Sequence, residues 1–171
     1  RMMRAAFVLA FDFTRAHQSM FRTVQCTPGA FSAYRRSAVE AVLHDWNNQR
    51  WRGKPSTIAE DRALSNLLLR DGHEIVFQSS AVVWTNVPTT YRGLIRMYQR
   101  WERGNVRENL AYAGSFKTHL GFRKRFGWWA HADFALSCSE MMIPAILIFL
   151  SLGYGLLHPR FLLQYFAVLI L

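Results

Sequence analysis

Seventeen consecutive residues, Met141 to Leu157, carry no charged side chain, and that run limits what the chain can fold into more than any other feature. At about 1.5 Å per residue it makes roughly 25 Å of helix, and borrowing Phe134 to Ser139 brings it to bilayer thickness. Pro144, Gly153 and Gly155 are tolerated in membrane helices, where neighbours satisfy the freed backbone groups. A buried soluble helix seldom lacks a polar face over such a length. The run therefore predicts a transmembrane span, His158-Pro159-Arg160 a short turn, and Phe161 to Leu171 the start of a second span. Arg1 in place of Met, and an end at Leu171 inside an apolar run, lead us to expect a fragment of a longer chain.

The residues before the run are arginine-rich. Nine Lys or Arg lie between Tyr91 and Trp129 and only Arg160 beyond, so the positive-inside rule places the preceding residues in the cytoplasm. A net charge of +10 beside 51% hydrophobic residues fits a membrane protein better than a soluble domain. From Tyr91 the period is helical. Leu94, Met97, Tyr98 and Trp101 form an apolar stripe, with Arg92, Arg96, Arg100, Arg103 and Arg107 opposite. Phe116 to Trp129 mixes Lys117, Arg123, Lys124 and Arg125 with aromatics, a composition suited to the headgroup level. Arg4 to Phe13 has no cleavage pattern of a signal peptide. Cys26 and Cys138 sit in unlike surroundings, which argues against a disulfide or metal framework and for a reducing compartment.

Upstream, Arg1 to Arg22 predicts a helix, Thr23 to Cys26 a short strand, Thr27-Pro28-Gly29 a turn, and Ala30 to Tyr34 a second extended piece. Ser37 can cap a helix from Ala38 to Trp46. Asn47 to Pro55 reads as a polar loop, whose Arg50, Trp51, Arg52 and Lys54 are a weak nucleic-acid signal on their own. Asp61 to Arg70 is a helix stopped at Asp71-Gly72. Ile75 to Phe77 and Ala81 to Trp84 read as strands, which makes the expected class α/β.

The helix start at Glu60-Asp61 carries two readings. Thr57 and Glu60 have capping-box spacing, and acids suit the positive end of a helix dipole. Alternatively, one carboxylate is a general base. His44, His73 and His119 have no ligand spacing, and Asp133 and Glu140 flank the apolar run at its polar boundary.

Three features in fixed order add to this: Pro28-Gly29-Ala30-Phe31-Ser32-Ala33-Tyr34-Arg35, then Glu60-Asp61-Arg62, then Arg100-Trp101 on the amphipathic helix. Together they resemble the second half of a membrane-embedded family 2 glycosyltransferase, the group of chitin, hyaluronan and cellulose synthases. The resemblance runs from about Arg15 to Arg103. It implies the acceptor-side half of a GT-A-type domain over residues 1–90, interfacial amphipathic helices over 91–132 and a transmembrane region over 133–171.

The implied reaction is inverting sugar transfer from a nucleotide sugar, UDP-linked by expectation, to a growing glycan at the cytoplasmic face of the plasma or inner membrane. By that resemblance Asp61 is the base, Arg100 holds the donor diphosphate, and Trp101, Phe31, Ser32, Tyr34 and Glu60 meet the acceptor. An unperturbed aspartate titrates near about 3.9, so burial would have to raise its basicity. Met97 stands where the family has glutamine, which puts processive synthesis in doubt. Mg2+ or Mn2+ is implied for the intact enzyme with its ligands outside this chain, since no Asp-x-Asp occurs here. The partners implied are the nucleotide sugar, a glycan and a lipid bilayer, with no nucleic acid beyond the donor nucleotide. A non-processive transferase with a lipid-linked acceptor, or a non-enzymatic basic membrane anchor, would carry the same charge pattern.

Overall fold

The structure, a computed structural model, describes residues 2–114, 127–161 and 164. The chain divides into two compact units, Arg1–Ala132 and Asp133–Leu171. The first unit opens with α1 (Met2–Val8), a π-helical segment (Leu9–Arg15) and α2 (Ala16–Met20), and continues through α3 (Arg36–Asn47), the strands β1 (Arg50–Trp51) and β2 (Lys54–Pro55), α4 (Glu60–Arg70) and α5 (Tyr91–Gly114). Helix α6 (Gly127–Leu157) begins in the first unit and makes most of the second.

Leu64, Leu67, Leu68 and Leu69 of α4 are buried in one cluster with Ala38 and Val42 of α3 and with Val24 and Ile75. Each fully buried leucine contributes about 1.5–3 kcal/mol relative to exposure, so this contact is the main stabilising element of the first unit. The helix predicted over 1–22 is present but relaxes into π geometry in the middle. There Thr14 Oγ1 and Arg15 Nη1 donate to the carbonyls of Leu9 and Ala10, five residues back, at 3.2 and 2.9 Å.

The α/β expectation is met only in part, because the described residues are mostly helical with one two-stranded sheet. Of the four predicted strands two meet, Thr23 pairing with Ile75 in a single parallel bridge. Ala30 to Tyr34 joins no ladder: Gly29-Ala30 is a turn, in which Phe31 N–H donates to the Pro28 carbonyl at 3.2 Å and Ser32 Oγ to the same oxygen at 2.6 Å. Local bonds of this kind compete directly with a ladder. Ala81 likewise turns back onto the Gln78 carbonyl. The polar loop read at Asn47 to Pro55 is instead a hairpin with register Arg50↔Pro55 and Trp51↔Lys54. Its two turn residues, Arg52 and Gly53, have φ of 49° and 79°. Positive φ at both positions is the type I′ geometry that matches strand twist.

The capping box at Thr57 and Glu60 does not form. Helix α4 starts at Glu60, and its N-cap is Ala59 in the left-handed region (φ 54°, ψ 41°) with no side-chain cap bond. Helix α5 does start on a side-chain cap, Gly93 N–H donating to Thr90 Oγ1 at 3.2 Å.

The uncharged run lies in the C-terminal part of α6, a helix of 31 residues. Among the described residues no helix is both long and apolar enough to cross a membrane. The early turns of α6 carry the buried polar residues His131 and Asp133, and Ile146, Ile148, Phe149 and Leu150 further along are exposed. The basic aromatic segment at 116–126 and nearly all of the expected second span lie outside the described residues.

Candidate functional site

The site begins at the head of α4. Ala59 turns the chain in a conformation that costs an L-residue about 1–2 kcal/mol, and Asp61 follows two residues later on the first helical turn, half-buried. Both of its carboxylate oxygens are engaged by backbone donors: Gly29 N–H reaches Oδ2 at 3.1 Å and Arg62 N–H reaches Oδ1 at 2.7 Å. Gly29 belongs to the loop that carries Phe31, Ser32 and Tyr34. Residues far apart in sequence thus meet through one hydrogen bond.

A chain of hydroxyls fastens the same loop to the same helix. Thr27 Oγ1 lies 2.7 Å from Tyr34 Oη and 2.8 Å from Ser65 Oγ. Ser65 Oγ accepts from Thr27 N–H at 3.0 Å and donates to the Asp61 carbonyl at 2.9 Å. Because its one proton goes to Asp61, Ser65 must accept from Thr27, and Thr27 in turn from Tyr34. The protons therefore run in one direction along the chain. Ser65 is fully buried, with 0% of its surface exposed, and every bond its hydroxyl can make is used. Burial pushes the nearby Cys26 thiol up, with the Asp61 carboxylate adding to the effect and Arg15 and Arg62 opposing it.

Helix α5 is held against α4 one turn beyond the predicted donor and acceptor residues. Arg62 Nη1 and Nη2 donate to Asn105 Oδ1 at 2.8 Å and Asn109 Oδ1 at 2.6 Å. Gly104 comes so close that a Cβ built on it would stand 2.4 Å from Ala59 Cβ. Trp101 is three residues before Gly104 and four before Asn105, so it shares the helix face that meets the head of α4. Its ring meets Tyr98 edge-on at 5.6 Å.

Of the residues singled out from the sequence, the structure brings Asp61, Ser32 and Tyr34 together around the Gly29 loop. Phe31 is 55% exposed on that loop. Glu60 is exposed and offers its backbone carbonyl to Trp46 Nε1 at 2.9 Å. Arg100 is exposed, and among the described residues neither it nor Trp101 makes a hydrogen bond or ion pair to Asp61. The sequence reading missed Thr27, Ser65 and Gly104. Ser65 had a signal in its i+4 spacing from Asp61; Gly104 had none, because its role depends on a residue 45 positions away. Among the described residues no three His, Cys, Asp or Glu side chains gather to hold an ion.

A carboxylate oriented by backbone donors beside a hydroxyl-rich loop is suited to taking a proton from a polar substrate. The chain belongs to glycosyl transferase family group 2, whose model matches residues 2–171. It is 37% identical over 110 residues to an N-acetylglucosaminyltransferase of Mesorhizobium japonicum, covering 64% of this chain and 26% of that protein. A second N-acetylglucosaminyltransferase, from Rhizobium meliloti, is 40% identical over 100 residues, 58% of this chain and 24% of that protein. Human hyaluronan synthase 3 is 32% identical over 111 residues, 65% of this chain and 20% of that protein. The matched part thus spans about a quarter or less of these relatives. The family resemblance read from the sequence is borne out.

Proposed function

We propose that this chain supplies the acceptor side of an inverting glycosyltransferase that moves a sugar from a nucleotide donor to a growing glycan, with Asp61 as the base. In this reading Asp61 takes the proton of the acceptor hydroxyl as its oxygen bonds to the anomeric carbon. The bond from that carbon to the diphosphate breaks on the opposite face. Arg100 meets the charge developing on the leaving diphosphate, and Trp101 gives the acceptor ring a flat face to stack on. Phe31, Ser32, Tyr34 and Glu60 border the acceptor path.

The observation that carries this reading is the Gly29 N–H bond to Asp61 Oδ2, which orients a half-buried carboxylate toward the loop proposed to receive the acceptor. The names of the relatives favour N-acetylglucosamine as the sugar, and a UDP carrier is what the family resemblance leads us to expect. The exposed apolar surface of α6 supports a seat in a bilayer with residues 1–90 cytoplasmic, 91–132 interfacial and 133–171 membrane-embedded. Mg2+ or Mn2+ in the intact enzyme would be held by residues outside this chain.

Asp61→Asn in the full-length gene product is the direct test. Transfer should fall by about 10²–10⁴-fold, the usual contribution of a general base, while donor binding is kept. Wild-type turnover in that variant would refute the assignment. A second reading, single transfer to a lipid-linked acceptor, is favoured by Met97 in place of the family's glutamine. Product length separates the two: a ladder of oligomers supports polymer synthesis, and a single added sugar supports the alternative.

A further inference from the structure

A cavity of about 340 Å³ lies beside α4, away from Asp61. Ala63, Asn66, Leu67 and Arg70 border it. At about 100° per residue these four cluster on the side of the helix opposite Asp61 and Ser65. The remaining walls come from the end of α3, the β1–β2 hairpin and α5 around Arg107. This is a different place from the candidate catalytic site.

Its walls hold two donors that lack an acceptor among the described residues. Arg107 is only 6% exposed, yet its Nη1 has no hydrogen-bond acceptor among the described residues. Its one carboxylate neighbour, Glu108, lies 2.6 Å from Nη2 as an ion pair and accepts from Nε at 2.8 Å. The other Glu108 oxygen is taken by Asn66 Nδ2 at 3.0 Å. Ser56 Oγ, on the same cavity, is also buried without a partner. Buried donors are normally bonded, and two residues breaking that rule at one cavity point to a ligand rich in acceptor oxygens.

Charge and shape narrow the class. Arg50, Arg70 and Arg107 face Asp45 and Glu108 across the cavity, and Asp45 is already bound by Arg70. Three guanidiniums against two carboxylates leave a positive charge in surplus. Trp51 adds a flat ring, and the volume is at the small end of ligand pockets, which begin near about 300 Å³.

We propose that this cavity binds a sugar-sized phosphate monoester, its phosphate on Arg107 Nη1 and Ser56 Oγ and its ring against Trp51. The guanidinium supplies charge-assisted bonds to the oxyanion, and the indole supplies stacking.

Isothermal titration of the full chain in detergent tests this with three probes: glucose 1-phosphate, inorganic phosphate and glucose. Glucose 1-phosphate should bind saturably and more tightly than phosphate, and glucose should not bind. Arg107→Met should weaken glucose 1-phosphate at least tenfold, Ser56→Ala several-fold, and Trp51→Ala should reduce it to the level of phosphate. Asp61→Asn should leave it unchanged, so this inference stands or falls apart from the catalytic reading. The proposal is overturned if no phosphate probe binds, or if Ser56→Ala, which breaks no hydrogen bond among the described residues, binds as wild type. Arg107-dependent flotation with phosphatidic acid vesicles, without a response to glucose 1-phosphate, would assign the phosphate to a lipid headgroup and overturn the soluble ligand.

Discussion

Replacing Gly104 by alanine should damage both stability and transfer, and a second substitution should repair it. The added Cβ would sit 2.4 Å from Ala59 Cβ, whereas carbon atoms pack at about 3.5–4.0 Å. To relieve the overlap α5 must retreat by roughly 1–1.5 Å from the head of α4, and overpacking of this kind typically costs about 1–3 kcal/mol. Ala59→Gly removes the offending atom. The next nearest atoms, Ala59 Cα and N, lie at 3.6 and 3.7 Å, ordinary contact distances. Glycine at 59 also removes the left-handed penalty of about 1–2 kcal/mol, set against about 0.4–1 kcal/mol of extra backbone entropy in the unfolded chain. Alone it should therefore be neutral to slightly stabilising. Urea unfolding of the wild type, both single variants and the double variant closes the cycle, with an expected coupling of about 1–3 kcal/mol. Transfer by the full-length gene product should follow the same order. A shift of about 1 Å in α5, which carries Arg100 and Trp101, is enough for roughly a 10²-fold loss. A Gly104→Ala variant as stable as wild type, or a double variant as damaged as the single one, would refute the reasoning.

Other outcomes follow from the same contacts. Ser65→Ala strips the half-buried Thr27 N–H of its acceptor and should cost about 1–3 kcal/mol in a urea melt; an unchanged midpoint would mean the hydroxyl chain contributes little. Burial holds the His131 imidazole below its ordinary value, while Tyr112 Oη lies 3.1 Å from Nδ1. The unfolded chain therefore takes up that proton first as pH falls through about 6.5, so stability drops on the acid side, by at most about 1.4 kcal/mol per pH unit for one group. Subtracting the His131→Phe profile from wild type between pH 7.5 and 5.5 should isolate this drop, and parallel profiles would contradict it.

Where the chain is helical, its own pattern says so. The stripe Leu94, Met97, Tyr98, Trp101 marks α5, and the leucines at 64, 67 and 68 mark α4, because helical periodicity is a local property carried by neighbouring side chains. The pairing of extended segments was not legible in the same way. Thr23 finds Ile75 across 52 positions, which no short window shows, while Phe31 and Ser32 bond back to the Pro28 carbonyl instead of to a neighbouring strand. The hairpin at Arg52-Gly53 was missed because its first turn residue is an arginine at positive φ, which composition does not announce.

The candidate site divides along the same line. The sequence alone marked Asp61, the Pro28 to Arg35 loop and Arg100-Trp101 through their order along the chain, which is enough to indicate a family and a chemistry. That the Asp61 carboxylate is bound by the N–H of Gly29 was decided only in three dimensions. The same holds for Ser65 completing a hydroxyl chain to Tyr34 and for Gly104 letting α5 touch Ala59. Each of these depends on atoms a few ångströms apart whose residues are 7 to 45 positions distant in sequence. Such contacts are fixed by packing and by the need to pair buried polar groups, neither of which acts until the chain has folded.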